Sequence, residues 1–227
     1  MNIFILGSTG LVGSQILLSA IKSPKIQTIK TIGRRAPKTE DVKIKSIKEA
    51  DSEKWGEIIE KEATDTSAFL SAFGTTHAQA GSKENFVKID YGVNYQAAKA
   101  AKEAGVKTFV LISSAGASSS SWINYSKTKG RLEDDIIKLN FDKTIILRPG
   151  VLLGDREVSR TGEGMAQTVG KFLYNSPLYF VTFGVYAEDL GKLALSLAEK
   201  GVQGEKVEII GPNHILKLVC QQRKESS

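Results

Sequence analysis

The opening residues MNIFILGSTGLVG constrain the fold more than any other stretch of this 227-residue chain. Ile3-Phe4-Ile5-Leu6 is a short apolar run, partly β-branched, that stops at Gly7. Such a run reads as a buried parallel strand entering a turn. Glycines then recur at three-residue intervals, Gly7, Gly10 and Gly13, and beyond them Val12, Ile16, Leu17 and Ala20 follow helical spacing. Strand, glycine turn and amphipathic helix form the context that a dinucleotide-binding fingerprint requires. Glycine permits the sharp turn, lets backbone approach a pyrophosphate, and allows the helix to pack closely on the strand. The phosphates then meet free amides at the positive end of the helix dipole. The spacing here is GxxGxxG, one residue longer at its first gap than GxGxxG. The expected cofactor loop comprises Gly7, Ser8, Thr9, Gly10, Leu11, Val12 and Gly13.

The same stretch also resembles the apolar core of a secretory signal or the start of an import sequence. No Asp or Glu precedes Glu40, whereas Lys22, Lys25, Lys30, Arg34, Arg35 and Lys38 all do, a transit-peptide composition. Cleavage would remove the first strand and the phosphate loop together, so any targeting by this region is expected to leave it uncleaved. No apolar run is long enough to span a bilayer. One cysteine, Cys220, and two histidines, His77 and His214, argue against an internal disulfide and a Cys/His zinc site, and no metal is expected. The net charge of +6 favours anionic partners. Its Lys and Arg residues are scattered among Asp and Glu without a basic block, so nucleic acid is not an expected partner.

Apolar runs over 26–32, 42–47, 68–73, 108–112, 144–147 and 206–210 read as further strands, with Val42, Ile44 and Ile47 the apolar members of the third. Helical patterns over 53–62, 85–104, 125–139 and 188–200 lie between them, Gly105 supplying a C-cap. This alternation predicts a doubly wound parallel α/β sheet. The chain reads as one domain over 1–227, a dinucleotide-binding core over 1–150 followed by a small, less regular substrate-side extension. Trp55 and Trp122 read as packing residues, Trp122 also as a candidate pocket wall, and His214 as a turn residue.

Tyr125-Ser126-Lys127-Thr128-Lys129 opens the helix after the fifth strand. Tyr125 and Lys129, four apart, share a helix face. A free tyrosine titrates near ~10 and is a poor acid–base group at neutral pH. A neighbouring ammonium stabilises the phenolate, so that Tyr125 can protonate a carbonyl oxygen while hydride reaches the carbon, or run the reverse step. Lys129 can also reach ribose hydroxyls, and a serine at the end of the fifth strand would polarise the same oxygen. A YxxxK alone carries little information; the order of glycine loop, strand-end serine and then YxxxK gives it weight. Arg34 and Arg35 stand about 20 residues beyond the glycine loop, where an NAD site places an acid on the ribose. Two guanidinium groups there suit a 2′-phosphate instead, which points to NADP(H).

With these residues in place the chain resembles the short-chain dehydrogenase/reductase superfamily, in its extended or atypical branch. The resemblance runs from GSTGLVG through SSAG, YSKTK and RPG to the late helix near Ala187-Glu188-Asp189-Leu190. Through GRR, FGTT, AGAS and RPGVLLGDRE it is similar to the fungal found-in-mitochondrial-proteome family, relatives of the animal HIV-Tat-interacting oxidoreductase. The resemblance implies a Rossmann-like NADP-binding domain and peripheral attachment at the cytosolic face of the mitochondrial outer membrane. It also implies a catalytic serine at Ser114, or at Ser113 one residue nearer the strand; the place before Ala115-Gly116 favours Ser114. By the same resemblance Phe73, Gly74 and Thr75 pass the adenine ribose and pyrophosphate. Pro149 and Leu152 then face the nicotinamide, and Arg160 contacts phosphate or substrate. Some reductases of the superfamily add an asparagine from the helix before the fifth strand; Asn94 lies in that helix, with its phase unfixed.

The expectation that follows is an NADP(H)-dependent oxidoreductase acting on an unspecified small carbonyl or alcohol, with Ser114, Tyr125 and Lys129 catalytic. Its rival is a non-catalytic NADPH-binding regulator or adaptor, and a basic membrane-surface adaptor is compatible with either.

Overall fold

The computed structural model describes residues 1–154 and 184–225. β1 (Asn2–Leu6) leads into α1 (Leu11–Lys22), β2 (Thr28–Gly33) and β3 (Ile44–Lys48). A 3-10 turn over Ser52–Lys54 precedes α2 (Trp55–Glu62) and β4 (Ala68–Ser71). Next come α3 (His77–Ala80), α4 (Lys83–Val87), a π turn over Lys88–Val93, and α5 (Asn94–Glu103). β5 (Thr108–Ile112), α6 (Asn124–Lys138) and β6 (Lys143–Leu147) follow. Two short strands, β7 (Leu152–Leu153) and β8 (Val185–Tyr186), pair with each other. α7 (Ala187–Glu199), β9 (Val207–Ile210) and α8 (Pro212–Glu225) complete the described chain.

Seven strands form one parallel sheet in the order β3-β2-β1-β4-β5-β6-β9. From β1 the chain winds outward to β2 and β3, then returns to continue on the other side through β4. The carboxyl ends of β1 and β4 therefore flank the point where the winding reverses, which is where open sheets of this kind bind ligands. The doubly wound, Rossmann-like fold expected from the alternating pattern is the fold observed. Of the segment expected as a substrate-side extension, residues 184–225 give β9 to the main sheet and α7 to its core.

Strand side chains alternate between two buried faces, so both must be apolar. Ile3, Ile5, Leu70, Val110 and Ile145 meet α1, α7 and α8 on one side. Phe4, Leu6, Phe69, Phe109 and Ile146 meet α2, α5 and α6 on the other. Register places Phe4 opposite Phe69 and Phe69 opposite Phe109, and their rings stack at 5.1 and 5.4 Å between centroids. Phe141 extends the row at 5.0 Å from Phe109. Such pairs add about 0.5–1.5 kcal/mol each beyond area burial, and they lock β1, β4 and β5 in register.

Four expectations need correction. Val42 lies outside β3 and is fully exposed; the strand starts two residues later, where pairing with β2 begins. The helix read over 85–104 is interrupted by the π turn. His214 stands inside α8, an unforeseen helix with Pro212 at its first position, where a missing N–H is no loss, and with Ile215, Leu216 and Val219 buried. Trp122 is fully exposed, ahead of α6, whose buried face begins at Thr128, whereas Trp55 packs as expected.

α1 approaches the sheet so closely that a Cβ on Gly13 would collide with the Gly7 carbonyl. Gly13→Ala is therefore expected to destabilise the protein by about 1–3 kcal/mol through overpacking, lowering the thermal midpoint by roughly 5 °C. Gly56, in α2, has open space where its Cβ would be. Gly56→Ala should leave stability unchanged or raise it by about 0.4–1 kcal/mol. Thermal unfolding of the two variants side by side checks the contrast.

Candidate functional site

Gly7 closes β1 with φ +86°, and a Cβ there would stand 2.8 Å from the Ala72 backbone. Only glycine meets both the left-handed torsion and the close approach. Gly10 caps α1 with no side-chain hydrogen bond, and the first turn holds no acidic residue. The first bond down the helix runs from Ser14 N–H to the Gly10 carbonyl at 2.9 Å, which leaves the amides of Leu11, Val12 and Gly13 ahead of the intrahelical ladder. Ser8 and Val12 are buried, Thr9 is exposed. Leu11 Cδ1 lies 3.3 Å from where a Cβ on Gly154 would sit, so the segment after β7 flanks the glycine loop. Arg34 and Arg35, both exposed, follow the carboxyl end of β2, the strand beside β1.

The turn after β4 is held from beneath. Phe73 packs edge-on against Trp55 at 5.5 Å. The Thr75 amide donates to Asp90 Oδ2 at 2.7 Å, and Gly74 leaves room for the other carboxylate oxygen, which a Cβ would meet at 3.0 Å. Asp90 belongs to the π turn and is wholly buried. Asn94, also wholly buried, accepts from Ser71 Oγ at 2.5 Å and donates to the carbonyls of Phe73 and Asp90 at 3.2 and 2.9 Å. The phase of Asn94 is thus toward the end of β4, where its side chain joins the strand, the turn and the π segment.

α6 carries the tyrosine and the lysine. Tyr125 is half-buried with its ring 5.6 Å from that of Phe86. Lys129 points inward, its ammonium 2.6 Å from Asp90 Oδ1, with side-chain exposure of 7% and 0% for the two partners. The two form a buried ion pair. Removing one member of so buried a pair typically costs about 3–5 kcal/mol. Gly130, next in sequence, lets the loop at Ser118-Ser119 lie against the helix, where a Cβ would collide with it; Ser118 N–H donates to the Ser126 carbonyl at 3.0 Å.

The two candidate serines differ in their bonding. Ser113 is buried and its hydroxyl donates to Glu133. Glu133 in turn receives Arg148 through Nε, at 3.1 and 3.0 Å to its two oxygens, and through a second guanidinium nitrogen. That bonding raises the pKa of Arg148. Ser114 is half-buried, and among the described residues its hydroxyl makes one long contact, 3.3 Å to the Ala115 carbonyl. Beside them the Ala115 amide donates to the Pro149 carbonyl at 2.8 Å, extending the β5–β6 pairing past the strand ends. Pro149 is buried and Leu152 half-buried.

Ser114, Tyr125, Lys129, the glycine loop, Arg34, Arg35, Phe73, Gly74, Thr75, Pro149 and Leu152 thus all follow the carboxyl ends of β1, β2, β4, β5 and β6 or the start of α6. Arg160 lies outside the described residues. Sequence reasoning missed Asp90 and the Glu133–Arg148 pair. A signal for Asp90 existed: a carboxylate four residues before Asn94, on the helix face that was to meet the sheet.

A family model described as HIM1 matches residues 39–180. The chain is 53% identical over 224 residues to "Protein FMP52, mitochondrial" of Candida albicans, covering 96% of this chain and 98% of that one. Its namesake in Kluyveromyces lactis is 40% identical over 223 residues, with 96% and 98% covered. Among solved structures, MoeE5 in complex with UDP-glucose and NAD superposes with a TM-score of 0.71 at 13% identity, over 98% of this chain and 82% of that one. UDP-glucuronic acid 4-epimerase from Bacillus cereus, in complex with NAD, gives 0.69 at 18%, over 100% and 83%. The structural likeness, at such low identity, speaks for the fold. The sequence likeness extends over nearly the whole of both chains, and by it this protein belongs to the HIM1/FMP52 family.

Proposed function

We propose that the chain is an NADP(H)-dependent oxidoreductase of the atypical short-chain type, acting on a small carbonyl or alcohol. One observation carries the reading: a buried, charge-compensated lysine one helical turn beyond a tyrosine, on the helix after the serine-bearing strand end. The glycine loop suits a dinucleotide, because Gly7 and Gly13 let the turn and α1 lie backbone to backbone at the strand ends and the first-turn amides of α1 are free of side-chain caps. Structures of similar fold that were solved with NAD support a nicotinamide cofactor. Gly7–Gly13 would hold the pyrophosphate and Arg34 and Arg35 a 2′-phosphate. Phe73, Gly74 and Thr75 would border the adenine ribose, and Pro149 and Leu152 the nicotinamide.

A nicotinamide held there would supply the hydride chemistry at the carbonyl carbon, in either direction. Ser114 Oγ donates a hydrogen bond to the carbonyl oxygen, and Tyr125 gives that oxygen its proton as the C–H bond forms. The product is the alcohol, and Tyr125 regains its proton from solvent. Lys129 orients the ribose and supports the charge that forms on Tyr125. Ser113, whose hydroxyl is already committed to Glu133, holds the strand end instead. The mitochondrial names of the relatives support a mitochondrial location, which we place peripherally on the cytosolic face of the outer membrane. Among the described residues no helix is long and apolar enough to cross a membrane.

Titration with NADPH and NADH, followed by nicotinamide fluorescence, should show clear preference for NADPH. Replacing both Arg34 and Arg35 by Ala should weaken NADPH about tenfold or more, ~1.4 kcal/mol, and leave NADH unchanged; equal loss of both would discard the arginine assignment. In a carbonyl-substrate screen, Tyr125→Phe should lower kcat by about 100-fold or more with NADPH affinity nearly intact. NADPH binding by the unaltered protein, without turnover of any carbonyl or alcohol, would favour a regulatory role over an enzymatic one.

A further inference from the structure

Asp90 is a buried carboxylate that the proposed hydride and proton transfers do not use, yet it touches both halves of the site. Its Oδ2 accepts from the Thr75 amide at 2.7 Å, and its Oδ1 lies 2.6 Å from the Lys129 ammonium. We infer that Asp90 is a positioning residue: anchored by the turn after β4, it fixes the direction in which Lys129 presents its ammonium to the dinucleotide. The inference rests on the dinucleotide reading of the site.

Lysine carries a compact charge on a four-carbon stem with several rotatable bonds. Left alone at the mouth of a cleft, it would sample many directions, and a ligand hydroxyl would have to order it on binding. Here the stem is buried and, among the described residues, the ammonium has one anionic neighbour in ion-pair contact. That neighbour is itself held in place, because three constraints converge on it. The Thr75 amide holds one oxygen. The π turn carries its backbone, and Asn94 Nδ2 takes its carbonyl at 2.9 Å while the Asn94 amide goes to Tyr91. Asn94 is in turn fastened to Ser71 at the end of β4. The direction of the ammonium is therefore inherited from the sheet through Ser71, Asn94 and Asp90. Gly74 completes the arrangement, since a Cβ there would stand 3.0 Å from Asp90 Oδ1 and 3.5 Å from the Lys129 nitrogen. An ammonium bound by one carboxylate oxygen keeps donors for ribose hydroxyls.

The test is a double-mutant cycle on NADPH affinity, read by nicotinamide fluorescence, with Asp90→Asn, Lys129→Met and the double variant, and thermal midpoints measured in parallel. Asparagine keeps the acceptor for the Thr75 amide and loses the anion facing Lys129. Asp90→Asn should weaken NADPH about tenfold, ~1.4 kcal/mol, and Lys129→Met at least as much. The double variant should bind no more weakly than Lys129→Met, because Asp90 acts through the lysine. Losses that multiply would mark Asp90 as a scaffold residue only and overturn the inference, as would wild-type affinity in Asp90→Asn. If Asp90→Asn does not fold, Asp90→Glu, which retains the charge on a longer arm, takes its place in the cycle: a loss absorbed by Lys129→Met supports the inference, and losses that multiply overturn it. An unaltered protein that binds neither NADPH nor NADH would instead overturn the dinucleotide reading itself, which the wild-type titration alone reveals.

Discussion

The site depends first on how closely α1 lies against β1 and β4. Gly7 and Gly13 bring backbone against backbone where β1 turns into α1 and passes the end of β4, and that contact sets where the first-turn amides point. α1 is clamped from its other side as well: a Cβ on Gly191 of α7 would stand 2.8 Å from Gln15. Strand, first helix and late helix are therefore one packed unit, although nearly the whole chain separates α1 from α7. A loop resting on such a unit is preorganised, and a ligand that uses its amides does not have to order them. The same packing makes the opening residues indispensable to the core, whatever else reads them.

A second ordering principle is the pairing of buried charges across elements. Lys129 and Glu133 stand four apart on α6, the spacing of an ordinary surface ion pair. Each instead crosses to another element, Lys129 to Asp90 before α5 and Glu133 to Arg148 after β6. Buried pairs add little net stability against apolar residues of like size. Their effect lies in direction: α6 is fixed at two successive turns to the segments bordering the site on its two sides, so Tyr125 one turn earlier inherits a defined place. Ser113 takes part in the second pair, which is why two adjacent serines of identical chemistry are not equivalent.

The strands, the glycine turn and the order of the catalytic candidates were legible because each leaves a periodic or positional trace. Short continuous apolar runs write the sheet, and glycine at three-residue intervals writes the loop. α8 was legible in principle, since Pro212 and the spacing of Ile215, Leu216 and Val219 are start and face signals; its many polar residues obscured them. Glu133 was not legible, and Asp90 left only its place four residues before Asn94 as a trace. A buried, paired carboxylate has the same letter as a solvated one, and only the partner on a distant element tells them apart. Trp122 misled for the converse reason, a large apolar residue that the fold leaves in solvent.

The acid-free opening, which resembled an import sequence, has a physical explanation in these contacts. Two of its cations, Lys25 and Lys30, are matched by carboxylates from far along the chain. Lys30, nearly buried, pairs with Asp65 at 2.7 Å and pulls the Asp65 carboxyl below the usual range. Lys25 lies 3.7 Å from Glu199, whose other oxygen accepts from Ser23. Local composition thus counts only one side of pairs that close through the tertiary fold. Among the described residues Arg34 and Arg35 have no carboxylate in ion-pair contact. They are exposed, just past the carboxyl end of β2, the strand beside β1. Part of the local imbalance is thus closed by internal pairs, while among the described residues Arg34 and Arg35 stay outside them.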